Sequence, residues 1–392
     1  MFDHKEIDLD ILKQRAFNLR WATVPPGVIP LTAADPDFPC APQISEAIEK
    51  FVKDRYLSYG PAEGMGDFKE SMTSYFQLKR GIKADPKYCL PVDSAAFGIY
   101  VICKAILKAG DEAIIFDPVD FLFRYSIENV NARAIPFKIP AGDCAVDFDH
   151  LESLISVKTK MLCLCNPLNP TGKVFTRSEL IKLGELACKY DLVILSDEIW
   201  SDIVYSPYKF TSIASLSESI FERTITVTGF SKSYGLAGLR IGAILAPSEN
   251  LYQKVFDASL HLSTIHGANI IGQVAATTAL RECGDWLNNF IIHLQSMRDI
   301  CVARVNALPN FNVVSPQGTY VVFINIMKTG KTSSEISNLF LNEAKVMVVP
   351  GQKQWFGEAA EGFIRISFAT SEVILSEAFD RIEKLILTER LT

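Results

Sequence analysis

The sequence lacks an excess of basic residues. Its 392 residues include 39 Lys and Arg against 45 Asp and Glu, which gives a formal net charge of −6. A chain with this balance has no positive field to gather nucleic-acid phosphates or an anionic lipid surface. It also lacks an apolar run of the roughly 20 residues that span a bilayer, and its start, MFDHKEIDLD, is charged where a signal peptide would be apolar. We therefore expect a cytoplasmic protein whose partners are neither nucleic acid nor membrane.

Motifs of several common enzyme classes are also missing. The five histidines form no HExxH, and there is no GxSxG, no GxxxxGK[ST] and no GxGxxG after a strand. The usual support for a metalloprotease, a serine hydrolase, a P-loop enzyme or a nicotinamide enzyme is therefore absent. The nine cysteines are scattered, and only Cys163 and Cys165 lie close together, inside the apolar run MLCLC. We interpret them as reduced structural thiols and expect no metal site.

Apolar residues are abundant: 48% of the chain is hydrophobic and 21% is charged. A chain of this length and composition buries a large core and usually forms two domains. A buried helix is predicted over 95–109, and apolar strands alternate with helices up to about residue 246. This alternation predicts an α/β fold whose large domain has a mainly parallel sheet covered by helices.

The pattern changes near residue 283, where long helices and fewer strands predict a smaller α+β domain. We expect an N-terminal segment, 1–48, that belongs to the small domain. A large domain should follow over 49–283, and the C-terminal small domain should cover 284–392.

Three of the apolar runs are followed at once by polar residues. These are NPLNPTG at 166–172, Asp197, and the pair Ser231 and Lys232. Ligands of an open parallel sheet bind at the carboxyl ends of its strands, so we expect these side chains to share one crevice. A lysine beside a carboxylate is what pyridoxal phosphate chemistry requires: the amine bonds the cofactor aldehyde, and the acid keeps the pyridine nitrogen protonated. Arg240 is a candidate for the cofactor phosphate.

Taken in order, the motifs resemble those of the fold-type I aminotransferases of class I/II, which depend on pyridoxal 5′-phosphate. The resemblance covers nearly the whole chain and rests on Pro36-Asp37-Phe38, Tyr59, Gly64, Asp117-Pro118, NPLNPTG at 166–172, SDEIW at 196–200, SKSYGLAGLRIG at 231–242 and FIRISFA at 363–369. It implies the fold-type I architecture, pyridoxal 5′-phosphate as cofactor, and a homodimer with shared active sites.

The resemblance also implies a role for each matching residue. Lys232 becomes the lysine that forms the Schiff base and carries the proton between Cα and the cofactor. Asp197 becomes the partner of the pyridinium nitrogen, and Arg365 the clamp for the substrate α-carboxylate. Further residues are implied around them: Asn169 at the ring hydroxyl and the substrate, Arg240, Ser231, Ser94 and Ala95 at the phosphate, Trp200 beside the ring hydroxyl, Ala34 on the substrate side, and Tyr59 at the phosphate of the neighbouring subunit's cofactor.

Three positions around the ring and the substrate depart from the family pattern. Trp200 stands where a tyrosine usually bonds the ring hydroxyl, and an indole N–H donates but cannot become a phenolate. Asp120 stands where an aromatic side chain usually stacks on the ring, so either Phe121 or Phe123 takes that role or the stacking is lost. Ala34 replaces a usual glycine on the substrate side.

Two hydroxyl donors to the phosphate are also missing. Gly229 replaces a common serine, and Ser94 with Ala96 replaces a Gly-x-Thr cup. We expect Thr228 or Ser231 to compensate. The departures are compatible with neutral drift or with an unusual substrate or reaction.

The sequence therefore predicts an aminotransferase that moves the amino group of an α-amino acid to a 2-oxo acid by a ping-pong mechanism. A cystathionine-β-lyase-like carbon–sulfur lyase is the first alternative, because that branch shares the core residues and carries an Ala-Asp-x-Asp-Phe stretch, which ADPDF at 34–38 matches. A non-catalytic, ligand-sensing relative is the second alternative. The sequence does not identify the amino acid.

Overall fold

The structure, a computed structural model, describes residues 2–140 and 144–389. Within these ranges the strands are β1 (Ile29–Pro30), β2 (Cys89–Val92), β3 (Glu112–Asp117), β4 (Arg133–Lys138), β5 (Thr159–Cys165), β6 (Val193–Asp197), β7 (Thr224–Gly229), β8 (Gly242–Leu245), β9 (Val321–Asn325), β10 (Val346–Met347), β11 (Val349–Pro350) and β12 (Phe363–Ser367). The helices are α1 (Leu9–Arg15), α2 (Pro42–Val52), α3 (Gly66–Arg80), α4 (Ala95–Ile106), α5 (Leu122–Glu128), α6 (Phe148–Ser153), α7 (Arg177–Lys189), α8 (Glu218–Phe221), α9 (Glu249–Ser259), α10 (Ile270–Glu282), α11 (Gly284–Ala307), α12 (Ser333–Leu339), α13 (Lys353–Phe356) and α14 (Glu372–Glu389).

A seven-stranded sheet has the order β2-β8-β7-β6-β5-β3-β4. The neighbours β7, β6, β5, β3 and β4 all run parallel. Strands β3, β5, β6 and β7 are buried almost throughout, which is what continuous apolar runs require in a sheet covered by helices. The predicted α/β fold with a mainly parallel sheet is confirmed.

Strand β8 is the exception, because it runs antiparallel to both β7 and β2. The chain passes from β7 to β8 through residues 230–241, which hold a short 3₁₀ turn and no crossover helix. A parallel return usually runs through a crossover helix, and this connection has none, so the strand comes back in the opposite direction.

Helix α4 begins as predicted and ends earlier than predicted. The Ser94 hydroxyl caps its start by accepting the N–H of Phe97 at 3.1 Å. Gly98 lets the helix approach the sheet, since a Cβ there would lie 2.6 Å from Val227. The helix ends at Ile106 rather than at residue 109, because the Asp111 carboxylate accepts the N–H of Lys108 at 2.8 Å and starts a turn.

The C-terminal part contains an antiparallel sheet of order β11-β12-β9, and β1 pairs in parallel with β10. The two-residue strand β1 thus lies beside a strand more than three hundred residues later in the chain. The division at 48 and 283 stays a prediction. Among the described residues, every helix is too short or too polar to cross a lipid bilayer.

Candidate active site

The carboxyl ends of β5, β6 and β7 open onto a cavity of about 540 Å³. Its walls combine residues from these strand ends with the start of α4, the N-terminal segment and β12. Ten of the predicted site residues line it: Ala34, Ser94, Ala95, Asn169, Asp197, Trp200, Ser231, Lys232, Arg240 and Arg365. Parallel strands end at the same edge of the sheet, and this explains why side chains so far apart in the sequence meet here.

Lys232 follows β7 and points its amine across the cavity. Its Nζ donates to the carbonyl of Ala34 at 2.7 Å and lies 5.5 Å from the centre of the Trp200 ring. Burial lowers the pKa of this amine, and the nearby carboxylates, Asp35 first among them, oppose the shift. A lysine whose pKa is lowered by burial is a better nucleophile at neutral pH than a solvated one.

Asp197 is the last residue of β6 and only 6% exposed. Within the described residues, the one hydrogen bond to its carboxylate comes from the N–H of Ile199, at 3.1 Å. Burial raises the pKa of this carboxyl to about 7, and Asp120 and Glu198 add to the shift. A buried carboxylate with so few donors fits a site where a cation binds, and the protonated nitrogen of a pyridine ring is such a cation.

Arg365 reaches the cavity from β12, in the three-stranded antiparallel sheet, and a chain of hydrogen bonds orients it. Its Nη1 donates to Oδ1 of Asn169 at 3.0 Å, and its Nη2 donates to the carbonyl of Thr32 at 3.1 Å. The Asn169 amide in turn donates from Nδ2 to Asp120 at 2.8 Å. The Asn169 nitrogen carries a second hydrogen, so the amide still has a donor for a ligand. The guanidinium also stacks on Phe356, 5.0 Å from the ring centre.

Asp120, at the position where a stacking aromatic is usual, has structural contacts of its own. One carboxylate oxygen accepts the N–H of Leu122, the first residue of α5, at 3.2 Å, and the other accepts from Asn169. Burial raises the pKa of Asp120, and Arg365 is the main group that opposes the shift. Both Phe121 and Phe123 also line the cavity, but Phe123 is buried in the core and Phe121 is half exposed. Phe121 is therefore the more accessible of the two rings.

The start of α4 forms the other end of the cavity. Backbone N–H groups at a helix start suit a phosphate, and Ser94 and Ala95 stand there. Gly242 allows the close approach of β8, since a Cβ would lie 2.8 Å from the Ala95 nitrogen. Ser231 lines the cavity, whereas the Thr228 hydroxyl is buried against the carbonyl of Glu198 at 3.5 Å. Of the two hydroxyls expected to compensate for the missing donors, Ser231 is the one in position.

The remaining predicted residues differ in exposure. Arg240 lines the cavity and is exposed to solvent, with Nη1 at 3.5 Å from the carbonyl of Ala237. Trp200 is buried and packs edge-on against Tyr320, with ring centres 4.7 Å apart. Tyr59 is not among the residues that line the cavity; it is 86% exposed, and its ring centre lies 5.3 Å from that of His266. Its role toward a neighbouring subunit stays a prediction.

The sequence reasoning missed a second source of cavity residues, the segment 352–360. Trp355 and Phe356 from this segment line the cavity, as do Asn18 and Leu19 from the N-terminal part. The Asp117 carboxylate accepts the N–H groups of Glu358 and Ala359 at 3.1 Å each and holds the segment. The adjacent pair of large aromatic residues, in the short helix α13, was the available signal.

A sequence profile of the family described as "Aminotransferase class I and II" matches residues 26–382. An aspartate aminotransferase of Pyrococcus abyssi is 34% identical over 371 residues, which are 93% of each chain. The cystathionine beta-lyase PatB of Bacillus subtilis is 28% identical over 91% of this chain and 92% of the lyase. The crystal structure of an aromatic aminotransferase from Pyrococcus horikoshii superposes with a TM-score of 0.88 at 30% identity, over 93% of this chain and 97% of the other.

Proposed function

Since the chain belongs to the class I and II aminotransferase family, with pyridoxal 5′-phosphate as cofactor, we propose that the cavity around Lys232 is its active site. There the amino group of an α-amino acid is transferred to a 2-oxo acid in two half-reactions. The observation that carries this proposal is the convergence of Lys232, Asp197 and Arg365 on one cavity, from the connection after β7, the end of β6 and β12.

Each residue of the cavity has a role that follows from its charge and its position. When bound, the cofactor supplies an aldehyde that takes up the amino group and a ring that withdraws electrons from Cα. Lys232 removes and returns the Cα proton, because its amine reaches into the cavity and its lowered pKa makes the neutral, proton-accepting form more accessible. Asp197 stabilises the positive charge of the ring nitrogen. Arg365 holds the α-carboxylate through a planar, two-pronged contact.

The phosphate is held at the opposite end of the cavity. Arg240 supplies a charge there, Ser231 a hydroxyl, and Ser94 and Ala95 the N–H groups of the α4 start. Asn169 donates its second amide hydrogen to the ring hydroxyl. Trp200 stands where a tyrosine is usual, so the ring hydroxyl of the cofactor lacks a hydrogen-bond partner that can ionise.

We propose further that the protein is a homodimer in the cytoplasm, in which Tyr59 reaches the neighbouring active site. Support comes from Tyr56, Leu57, Tyr59 and Leu262, which are between 62% and 86% exposed although apolar or aromatic. Exposed apolar groups of this kind favour contact with another chain. Light scattering should give twice the mass of the chain, and Tyr59→Ala should weaken cofactor retention.

The test of the function separates transfer from carbon–sulfur bond cleavage. In a single turnover without a 2-oxo acid, we expect one equivalent of oxo acid and accumulation of the cofactor's amine form. Adding a 2-oxo acid should then restore the starting spectrum. Continuous release of pyruvate and thiol from excess cystathionine, with no acceptor present, would instead favour the lyase. That alternative is supported by ADPDF at 34–38 and by the similarity to PatB. The non-catalytic alternative finds no support, since the lysine, the carboxylate and both arginines share one cavity.

Arg365 provides a second, residue-level prediction. We expect Arg365→Ala to raise the KM for the amino acid about ten- to a hundredfold, because a charge-assisted contact contributes about 1.5–3 kcal/mol. Affinity for the cofactor should change little, and the exposed Arg177→Ala variant serves as the matched control. Steady-state kinetics and cofactor titration measure both quantities. An unchanged KM would show that another group holds the carboxylate.

A further inference from the structure

The segment 352–360 is held against the turn that follows β3 by backbone hydrogen bonds. The N–H of Val119 donates to the carbonyl of Phe356, and the N–H of Phe121 donates to that of Trp355, both at 2.9 Å. The Asp117 carboxylate accepts two further N–H groups of the segment. Gly357 is required at this turn, since its φ is +103° and a Cβ would collide with the Asp117 carboxylate. Trp355 and Phe356 are therefore held in place over the end of β3.

These contacts give the cavity an aromatic wall. The ring of Trp355 packs edge-on against Phe121, with centres 5.8 Å apart, and Phe356 stacks under the Arg365 guanidinium. With the α-carboxylate at Arg365 and the amine at Lys232, the substrate side chain has to lie against the remaining lining. That lining includes Trp355, Phe121 and Val349 next to Phe356, and Asn18 and Leu19 from the N-terminal part.

The charged residues of the cavity also favour a substrate with an uncharged side chain. Its basic residues are Lys232, Arg240 and Arg365, and the proposed function uses all three. Among the described lining residues of this chain, no other basic side chain is present to bind a second substrate carboxylate. The acidic side chain of Asp120 lies in the same lining, so a substrate with a side-chain carboxylate would meet repulsion.

We infer that this active site selects α-amino acids with apolar side chains, aromatic ones above all, and rejects dicarboxylic amino acids, with Trp355 as the specificity-determining residue. The inference rests on the proposed transamination at the Lys232 cavity. A large flat side chain gains contact with the rings of Trp355 and Phe121, whereas the side-chain carboxylate of aspartate or glutamate meets Asp120 and no further cation from this chain.

The experiment compares half-reactions of the holoenzyme with phenylalanine, alanine, aspartate and glutamate, followed by cofactor spectrum and by oxo acid formed. We expect kcat/KM for phenylalanine to exceed that for aspartate about a hundredfold, the size of discrimination that an unpaired buried charge produces. Trp355→Ala should lower the phenylalanine-to-alanine ratio of kcat/KM roughly ten- to a hundredfold. Trp355→Phe, which keeps a ring, should retain most of that ratio.

Two further variants complete the design. Gln354→Ala is the matched control, because this neighbour is exposed and contacts Gln352 rather than the cavity, and its ratio should equal that of the wild type. Asp120→Asn should raise kcat/KM for aspartate relative to phenylalanine. If no amino acid yields an oxo acid, the proposed function fails. If transfer occurs but aspartate or glutamate reacts as well as phenylalanine, or Trp355→Ala leaves the ratio unchanged, the specificity inference alone is overturned.

Discussion

Lys232→Ala is expected to reduce turnover by at least about 10⁴-fold, because the variant loses both the covalent attachment of the cofactor and the base that moves the Cα proton. Borohydride treatment of the wild-type holoenzyme should fix the cofactor to the peptide that contains Lys232, as peptide mass mapping would show. The same treatment of the variant should fix none. The amine contacts the Ala34 carbonyl and the Trp200 ring and no buried carboxylate directly, so thermal unfolding should show a folded variant.

The exposed Lys209→Ala variant is the matched control for this experiment, since it removes an amine that lies in solvent. It should bind and fix the cofactor like the wild type. A borohydride-fixed adduct on another lysine of the Lys232→Ala protein, together with retained turnover, would contradict the assignment of Lys232 as the lysine that binds the cofactor.

Asp197→Asn is expected to reduce turnover by roughly 10²- to 10³-fold or more, the usual range when one preorganised electrostatic contact is removed. An amide has nearly the shape of the carboxylate and can still accept the N–H of Ile199, so a loss of turnover measures the effect of removing the negative charge. The exposed Asp149→Asn variant, in the first turn of α6, should behave like the wild type. Turnover within a few-fold of wild type in Asp197→Asn would show that this carboxylate does not balance the ring nitrogen.

The pKa of Asp197 adds a prediction that does not depend on activity. In the apoenzyme, burial raises this pKa from 3.8 to about 7, so the folded state holds the proton more tightly than the unfolded state. The apoenzyme therefore loses stability as the pH rises from about 4 to about 7, and above that range the cost of ionising the buried group stays constant. At pH 8 the apo form of Asp197→Asn should have a higher Tm than the apo wild type. Cofactor should raise Tm more in the wild type, because only a carboxylate gains an ionic partner.

Sequence patterns could predict much of the fold because each long apolar run specifies a buried strand. Asp197 and Lys232 were predictable as neighbours because parallel strands end at a common edge. The antiparallel direction of β8 was not predictable, since the run at 241–246 is as continuously apolar as the parallel strands. What sets its direction is the connection, 230–241, and no local pattern distinguishes a return loop of that length from a crossover.

The aromatic part of the cavity could not be predicted from local patterns. Trp355 and Phe356 belong to a segment that is held at the cavity by contacts with Asp117, Val119 and Phe121. Neither spacing nor periodicity relates residues more than two hundred positions apart, so this wall depends on tertiary packing alone. The role of Asp120 as a hydrogen-bond acceptor for Asn169 was hidden for the same reason.

The antiparallel return of β8 has a consequence for how the site tolerates change in length. Gly229 and Gly242 are register partners, so the loop that carries both Lys232 and Arg240 starts and closes at the same point of the sheet. Because this register pair fixes both ends of the loop, an insertion or deletion within 230–241 cannot be absorbed by the strands. It must change the position of the Lys232 amine relative to the Arg240 guanidinium. Homologous loops grafted into this protein should therefore keep function only at the same length, whatever their composition outside the reactive positions.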